Sequence, residues 1–186
     1  MYLARDPAPT ARPERSPVIR VRPEQPADVD GIRALHLDAF STPAEADLVD
    51  ALRRGCREFH SWVAATEDGA LAGHVLYTPA RADTGPGGLG LGPMAVASGR
   101  QNAGVGTALM EASLARLAAD GEAWVVVLGH PRYYPRFGFR PARTYGLGCV
   151  WDAVPDPAFL VRELRPGGLE GVTGTIRYRP EFTALL

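Results

Sequence analysis

Residues 18–23, Val-Ile-Arg-Val-Arg-Pro, alternate apolar and charged side chains, the pattern of a half-exposed strand. After Pro26, the residues Val29, Ile32, Leu35 and Phe40 fall on one face of a helix with acids in its first turn. The pattern restarts at 41–55: Ser41 or Thr42 serves as cap, Pro43 takes the first helical position and Gly55 ends the helix. Two apolar runs then flank Glu67-Asp68-Gly69, which predicts a hairpin turning at Asp-Gly. Thr84-Gly-Pro-Gly-Gly-Leu-Gly90 is rich enough in glycine to be read as a loop, followed by a strand that Gly92 and Pro93 interrupt.

From Val105 to Ala119 the period returns to that of a helix. Val105, Ala108, Leu109, Ala112 and Ala115 form one stripe, broadened by Met110, Leu114 and Leu117. Trp124-Val-Val-Val-Leu128 is continuously apolar, as suits a central strand buried on both faces. Arg132-Tyr-Tyr-Pro-Arg-Phe-Gly-Phe139 is short and aromatic, and Pro135 limits it to a short helix or turn. The remainder, through 160–164 and 172–180, reads as strands that complete the sheet. The order β-α-α-β-β-β-α-β-α-β predicts a mixed α/β sheet with a strand–helix–strand crossover over residues 89–128. Residues 1–17, proline- and arginine-rich without an apolar core, are expected to be a disordered tail rather than a secretion signal.

Composition narrows the chemistry. The chain has 186 residues and a formal charge of −1, which favours one domain and gives no footprint for nucleic acid or an anionic membrane. No apolar run reaches the ~20 residues of a membrane span, so a soluble, cytoplasmic protein is expected. All 20 basic residues are arginine. Without lysine there is no Schiff base, no pyridoxal attachment and no phosphate-loop lysine. Cys56 and Cys149 stand apart as reduced thiols, and no His, Cys or Asp cluster has metal-ligand spacing, so no metal is expected. A GxSxG nucleophile elbow is absent.

The stretch Gly99-Arg-Gln-Asn-Ala-Gly-Val-Gly-Thr107 places glycines where a strand feeds a helix. A nucleotide phosphate loop needs a lysine after its second glycine, and Val105 stands there. A dinucleotide fingerprint needs a third glycine where Leu109 lies, and an acid after the next strand, which is apolar instead. What remains is Gln101-x-x-Gly104-x-Gly106, either a plain strand–helix turn or one whose backbone amides converge on an anion at a helix N-terminus. With the preceding Met94-Ala-Val-Ala-Ser98, and with Tyr134-x-x-x-Gly138-Phe139 downstream, residues 18–145 resemble the GNAT superfamily of N-acetyltransferases. The segment Gly129 to Phe139 and the extension ending Glu163 to Phe182 resemble a bacterial branch of that superfamily.

The resemblance implies the acyl-CoA N-acyltransferase fold: a twisted mixed sheet of about 6 to 7 strands with about 4 helices, splayed to form the coenzyme A cleft. It implies a domain over 18–145, completed by the extension 146–186. It implies acetyl-CoA as co-substrate, held by Met94, Ala95, Val96, Gln101, Asn102, Ala103, Gly104, Val105, Gly106 and Thr107, with Arg100 adding charge or remaining solvated. Pro93, lacking an N–H, would splay its strand so that the unpaired edge bonds the pantetheine amides. Tyr134 is the implied catalytic acid for the leaving thiolate; the alternative is a packing cluster of Tyr133, Tyr134, Phe137 and Phe139, with Tyr133 as core or cofactor wall. The general base is left open between Glu45, His74, His130 and water. At Gly129-His-Pro131 the chain lacks the asparagine that many relatives carry, and no contact is transferred there. The implied reaction is attack of an amine on the thioester, the acceptor being a small molecule or peptide and the protein a monomer or homodimer. The alternatives are an inactive acyl-CoA-binding module and a transferase for a longer acyl group.

Overall fold

The computed structural model describes residues 18–151 and 156–185; the expected tail over 1–17 lies outside them. The chain runs through β1 (Arg20–Pro23), α1 (Val29–Ala39), α2 (Ala44–Gly55), β2 (His60–Ala65), β3 (Leu71–Ala80), β4 (Gly88–Val96), α3 (Val105–Ala119) and β5 (Trp124–Leu128). It ends with β6 (Arg140–Pro141), β7 (Leu147–Cys149), β8 (Phe159–Glu163) and β9 (Gly174–Ile176). Seven strands form one sheet in the order β1-β2-β3-β4-β5-β8-β6, and β7 pairs β9 in a second, two-stranded sheet. β4 and β5 are parallel, joined by α3 as the crossover, and every other pair in the large sheet is antiparallel. The described residues contain three α-helices against the four expected. The fourth is a single 3-10 turn at Tyr134–Phe137, since Pro135 lacks an N–H and Gly138 at φ +82° ends it.

Burial explains the layers. Val125 and Val127 of β5 pack with Val75, Leu109, Leu114 and Phe139 on the α3 face. Trp124 and Val126 turn to the opposite face, against Val161 and Ile176. α2 lays Leu48 and Leu52 on Leu76 and Phe182, while Ile32 of α1 meets Val49 and Val63. The inward stripe of α3 is Val105, Leu109, Met110, Ser113, Leu114 and Leu117; Ala115, placed on it by the periodicity, is exposed. α2 begins one residue later than expected, with Pro43 just outside it and the Thr42 hydroxyl accepting from the Ala44 N–H at 3.4 Å.

The glycine-rich stretch 84–90 is also corrected, because β4 already starts at Gly88. A Cβ on Gly88 would stand 2.2 Å from the Trp124 indole, and one on Gly90 2.5 Å from the Tyr178 ring. Glycine here makes room for aromatic rings lying flat on a strand.

Two irregularities then shape the cleft. Between the pairs Val75↔Met94 and Tyr77↔Leu91, β3 advances two residues and β4 three, so Gly92-Pro93 forms a bulge. β4 pairs β5 over Leu89–Leu91 alone, and the two diverge beyond it. The predicted splay lies where Pro93 placed it.

Candidate active site

The loop after β4 is held at both ends. The Ser98 N–H and hydroxyl donate to the Asp38 carboxylate at 2.6 and 2.9 Å, and these bonds hold that carboxyl below the usual range. The Gln101 side-chain amide donates to the Val96 carbonyl at 3.4 Å. Asn102 at φ +61° and Gly104 at φ +83° then reverse the chain into α3. The first bond of the helical ladder runs from the Ala108 N–H to the Gly104 carbonyl at 2.9 Å. The amides of Val105, Gly106 and Thr107 precede it and point out of the positive end of the helix.

These elements border a cavity of about 520 Å³ lined by Met94, Val96, Gln101, Asn102, Gly104, Gly106 and Thr107. Three of the predicted binding residues are placed differently. Ala95 and Val105 are buried off this lining, and Ala103 is exposed outside it. Arg100 is not in the wall either; the arginine there is Arg136, with its guanidinium 4.7 Å above the Tyr133 ring and its Nε donating to the Tyr133 carbonyl. Arg136 was missed because the motif supplied only its tyrosine and glycine. The Tyr133 hydroxyl is buried without a hydrogen-bond partner among the described residues, and a Cβ on Gly106 would approach it to 2.6 Å. Gly106 is thus what lets this wall close on the helix N-terminus.

Tyr134 faces a second cavity. This one, of about 470 Å³, is lined by Leu91, Gly92, Pro93, Met94, Val127, Leu128 and Tyr134, with Phe40 and Glu45 from the α1–α2 side. Met94 lines both cavities, so the two meet at the fork of β4 and β5. The Tyr134 ring is fixed edge-on by Tyr133 at 5.1 Å and Phe139 at 5.6 Å. Burial raises its pKa well above the ordinary tyrosine value, with Tyr133 adding to the shift, so the phenol is a protonated donor at neutral pH. Behind the ring, a Cβ on Gly129 would stand 2.3 Å from its Cε2. Gly129→Ala is therefore expected to push Tyr134 out of register and to cost about 1–3 kcal/mol of stability. Loss of turnover beyond the drop in folded fraction, with melting followed in parallel, checks this.

Of the residues considered as base, Glu45 alone lines this cavity. It is half-buried in the first turn of α2 with the Thr42 hydroxyl 3.4 Å away. His130 is exposed and outside both linings. His74 is fully buried in a chain of polar groups that the sequence did not reveal. Its Nδ1 meets Nε2 of His36 at 2.9 Å, and its Nε2 meets the Ser61 hydroxyl at 2.9 Å. Ser61 in turn donates to Glu24, which accepts from Arg53 at 2.7 Å. The His36 ring stacks on Phe40, a wall of the second cavity, and its Nδ1 is buried without a partner among the described residues. Desolvation, aided by the Arg53 charge, lowers the His36 pKa to about 4 and that of His74 well below the ordinary value. Among the described residues no group of three or more His, Cys, Asp or Glu side chains could hold a metal ion, and no helix is long and apolar enough to cross a membrane.

Residues 20–142 match the family model of the acetyltransferase (GNAT) domain. The chain is 35% identical over 163 residues to the N-acetyltransferase YhbS of Escherichia coli K12, covering 87% of this chain and 97% of that one. It superposes on the crystal structure of Escherichia coli YhbS in complex with CoA with a TM-score of 0.84 at 33% identity, over 93% of this chain and 96% of that one. A GNAT acetyltransferase of Brucella melitensis in complex with acetyl-CoA gives a TM-score of 0.71 at 28% identity, over 90% and 99% of the two chains.

Proposed function

The chain belongs to the GNAT family of acetyltransferases, and from that premise we propose that its two joined cavities carry acetyl-CoA and an amine acceptor to opposite sides of one fork. The observation that carries this reading is the parting of β4 from β5 after Leu91, beside the free amides at the start of α3. The pyrophosphate of coenzyme A would sit on the amides of residues 104–107, where the helix dipole and Arg136 favour negative charge. The pantetheine amides would pair with the open edge of Met94, Ala95 and Val96, which leads the thioester to Tyr134. Crystal structures of two relatives contain CoA and acetyl-CoA, which supports that occupant.

The chemistry then follows from the neighbours of the fork. A neutral amine attacks the thioester carbonyl, the C–N bond forms and the C–S bond breaks. The leaving sulfur takes its proton from the Tyr134 phenol, and the proton lost by the amine nitrogen returns to the phenolate through water. A phenol is ordinarily a weaker acid than a thiol, about 10 against 8.5, and burial raises it further. The same dry surroundings penalise the thiolate, so the transfer is concerted with C–S cleavage.

β8 sits between β5 and β6 in the main sheet, which supports reading 146–186 as completing the domain begun at residue 18. Free Cys56 and Cys149, together with acetyl-CoA as donor, favour a cytoplasmic location.

Titration with acetyl-CoA followed by release of free CoA thiol on adding amines tests the reading. Gly104→Ala is expected to weaken acetyl-CoA binding about 10-fold, because an alanine at φ +83° costs about 1–2 kcal/mol in the loop that presents the amides. Binding without turnover of any amine would make the protein a coenzyme A-binding module instead.

A further inference from the structure

The wall of the second cavity has a composition that selects among amines. Resting on the acetyltransferase reading above, we infer that the acceptor is a small primary amine carried a few methylenes from an aromatic or branched apolar body. Phe40, Trp151, Tyr178 and Phe182 bring four rings to the lining from both ends of the chain, beside Leu91 and Val127. The rings support one another: Trp151 stacks on Tyr178 at 5.1 Å, and Tyr178 meets Phe182 at 5.0 Å. They form a preassembled apolar surface.

Against this surface the described residues set a single formal charge, the carboxylate of Glu45 on the α2 side; among them no arginine or histidine lines the cavity. A free α-carboxylate or a phosphate on the acceptor would enter without a counter-ion and lose its hydration uncompensated. A polyamine would bring several ammonium groups to one carboxylate. An extended peptide or a polyhydroxylated sugar would bring many donors and acceptors to a wall whose described polar side-chain groups are Thr42, Glu45, the Trp151 indole N–H and two phenols. A cavity of about 470 Å³ takes a small molecule. One ammonium held near Glu45, which gives up a proton to water before the neutral amine attacks, and a ring among the aromatics satisfy both halves of the lining. Of the two phenols, Tyr134 serves the leaving group. The Tyr178 hydroxyl is buried close to the Leu128 backbone, with no well-formed hydrogen bond among the described residues, so its ring and not its oxygen faces the acceptor.

The test is thiol release by the full chain at saturating acetyl-CoA, with phenethylamine, tryptamine and isoamylamine compared with ethylamine, spermidine, free amino acids, an aminoglycoside and a short peptide. The expected kcat/KM for phenethylamine exceeds that for ethylamine by about 10- to 100-fold, the effect of burying one ring. Glu45→Gln is expected to raise the KM for phenethylamine about 10-fold, with a smaller change in kcat. Preference for spermidine, amino acids, aminoglycoside or peptide overturns the inference and leaves the acetyltransferase reading intact. Binding of acetyl-CoA with no turnover of any amine overturns both. A Glu45→Gln enzyme with unchanged KM removes Glu45 from the recognition.

Discussion

Replacing Tyr134 with phenylalanine is expected to lower kcat by about 100-fold or more while leaving acetyl-CoA affinity within about twofold, since a positioned general acid contributes 10²–10⁴. The substitution removes one oxygen and keeps the ring, so the contacts with Tyr133 and Phe139 that hold it stay in place. The hydroxyl accepts no structural duty that its loss would expose, because no protein group among the described residues hydrogen-bonds it. The melting temperature should therefore hardly move, and this distinguishes a chemical role from packing. The separation is read by calorimetry for acetyl-CoA and by thiol release for kcat. Wild-type turnover in Tyr134→Phe would leave the aromatic cluster as a wall and nothing more.

The second large effect concerns stability in acid. His36 is fully buried and titrates near 4, against about 6.5 for an exposed histidine. Between those values the unfolded chain binds a proton that the folded chain refuses, so stability is complete above pH 6.5 and falls as the pH is lowered toward 4. The shift corresponds to about 3 kcal/mol from His36, and His74 acts in the same direction. Glu24, 3.8 Å from His74 Nε2, opposes this less than its distance suggests, because Arg53 already pairs with it. Asp28, whose carboxyl is held below the ordinary value by Arg22, adds its loss only at lower pH. Denaturant midpoints at pH 7 and pH 5 should separate clearly in the wild type and much less in the His36→Gln/His74→Gln double variant, which removes both buried imidazoles. An equal separation in both would place the acid sensitivity elsewhere.

What could be read from the sequence is what local stereochemistry decides. Asp68-Gly69 marks its hairpin because Gly69 sits at φ +87°, and Val105 to Ala119 shows its helical period without help from distant residues. Pro93 announces the fork because a missing N–H interrupts any ladder. The features that escaped depend on residues far apart in the chain. Gly88 and Gly90 look like loop residues until Trp124 and Tyr178 are laid across them. His36 and His74 are 38 positions apart, and each alone reads as an ordinary core histidine. The second cavity draws its rings from residues 40, 151, 178 and 182, which no window along the sequence brings together. Arg136 was overlooked for a shorter-range reason: one turn of 3-10 helix is too brief to show a face.

The margins of the large sheet bear on how the molecule behaves in a crowded solution. At one side β1 is four residues long, carries Arg20 and Arg22, and stops at Pro23; at the other β6 is two residues long and stops at Pro141. Such short, charged or proline-ended borders offer a passing polypeptide little to zip onto. The longer unpaired backbone, from Pro93 to Val96, lies in the interior gap instead, walled by β5 and the tyrosine turn. The fold thereby keeps its longer open edge inside the sheet and leaves only short borders outside to self-association.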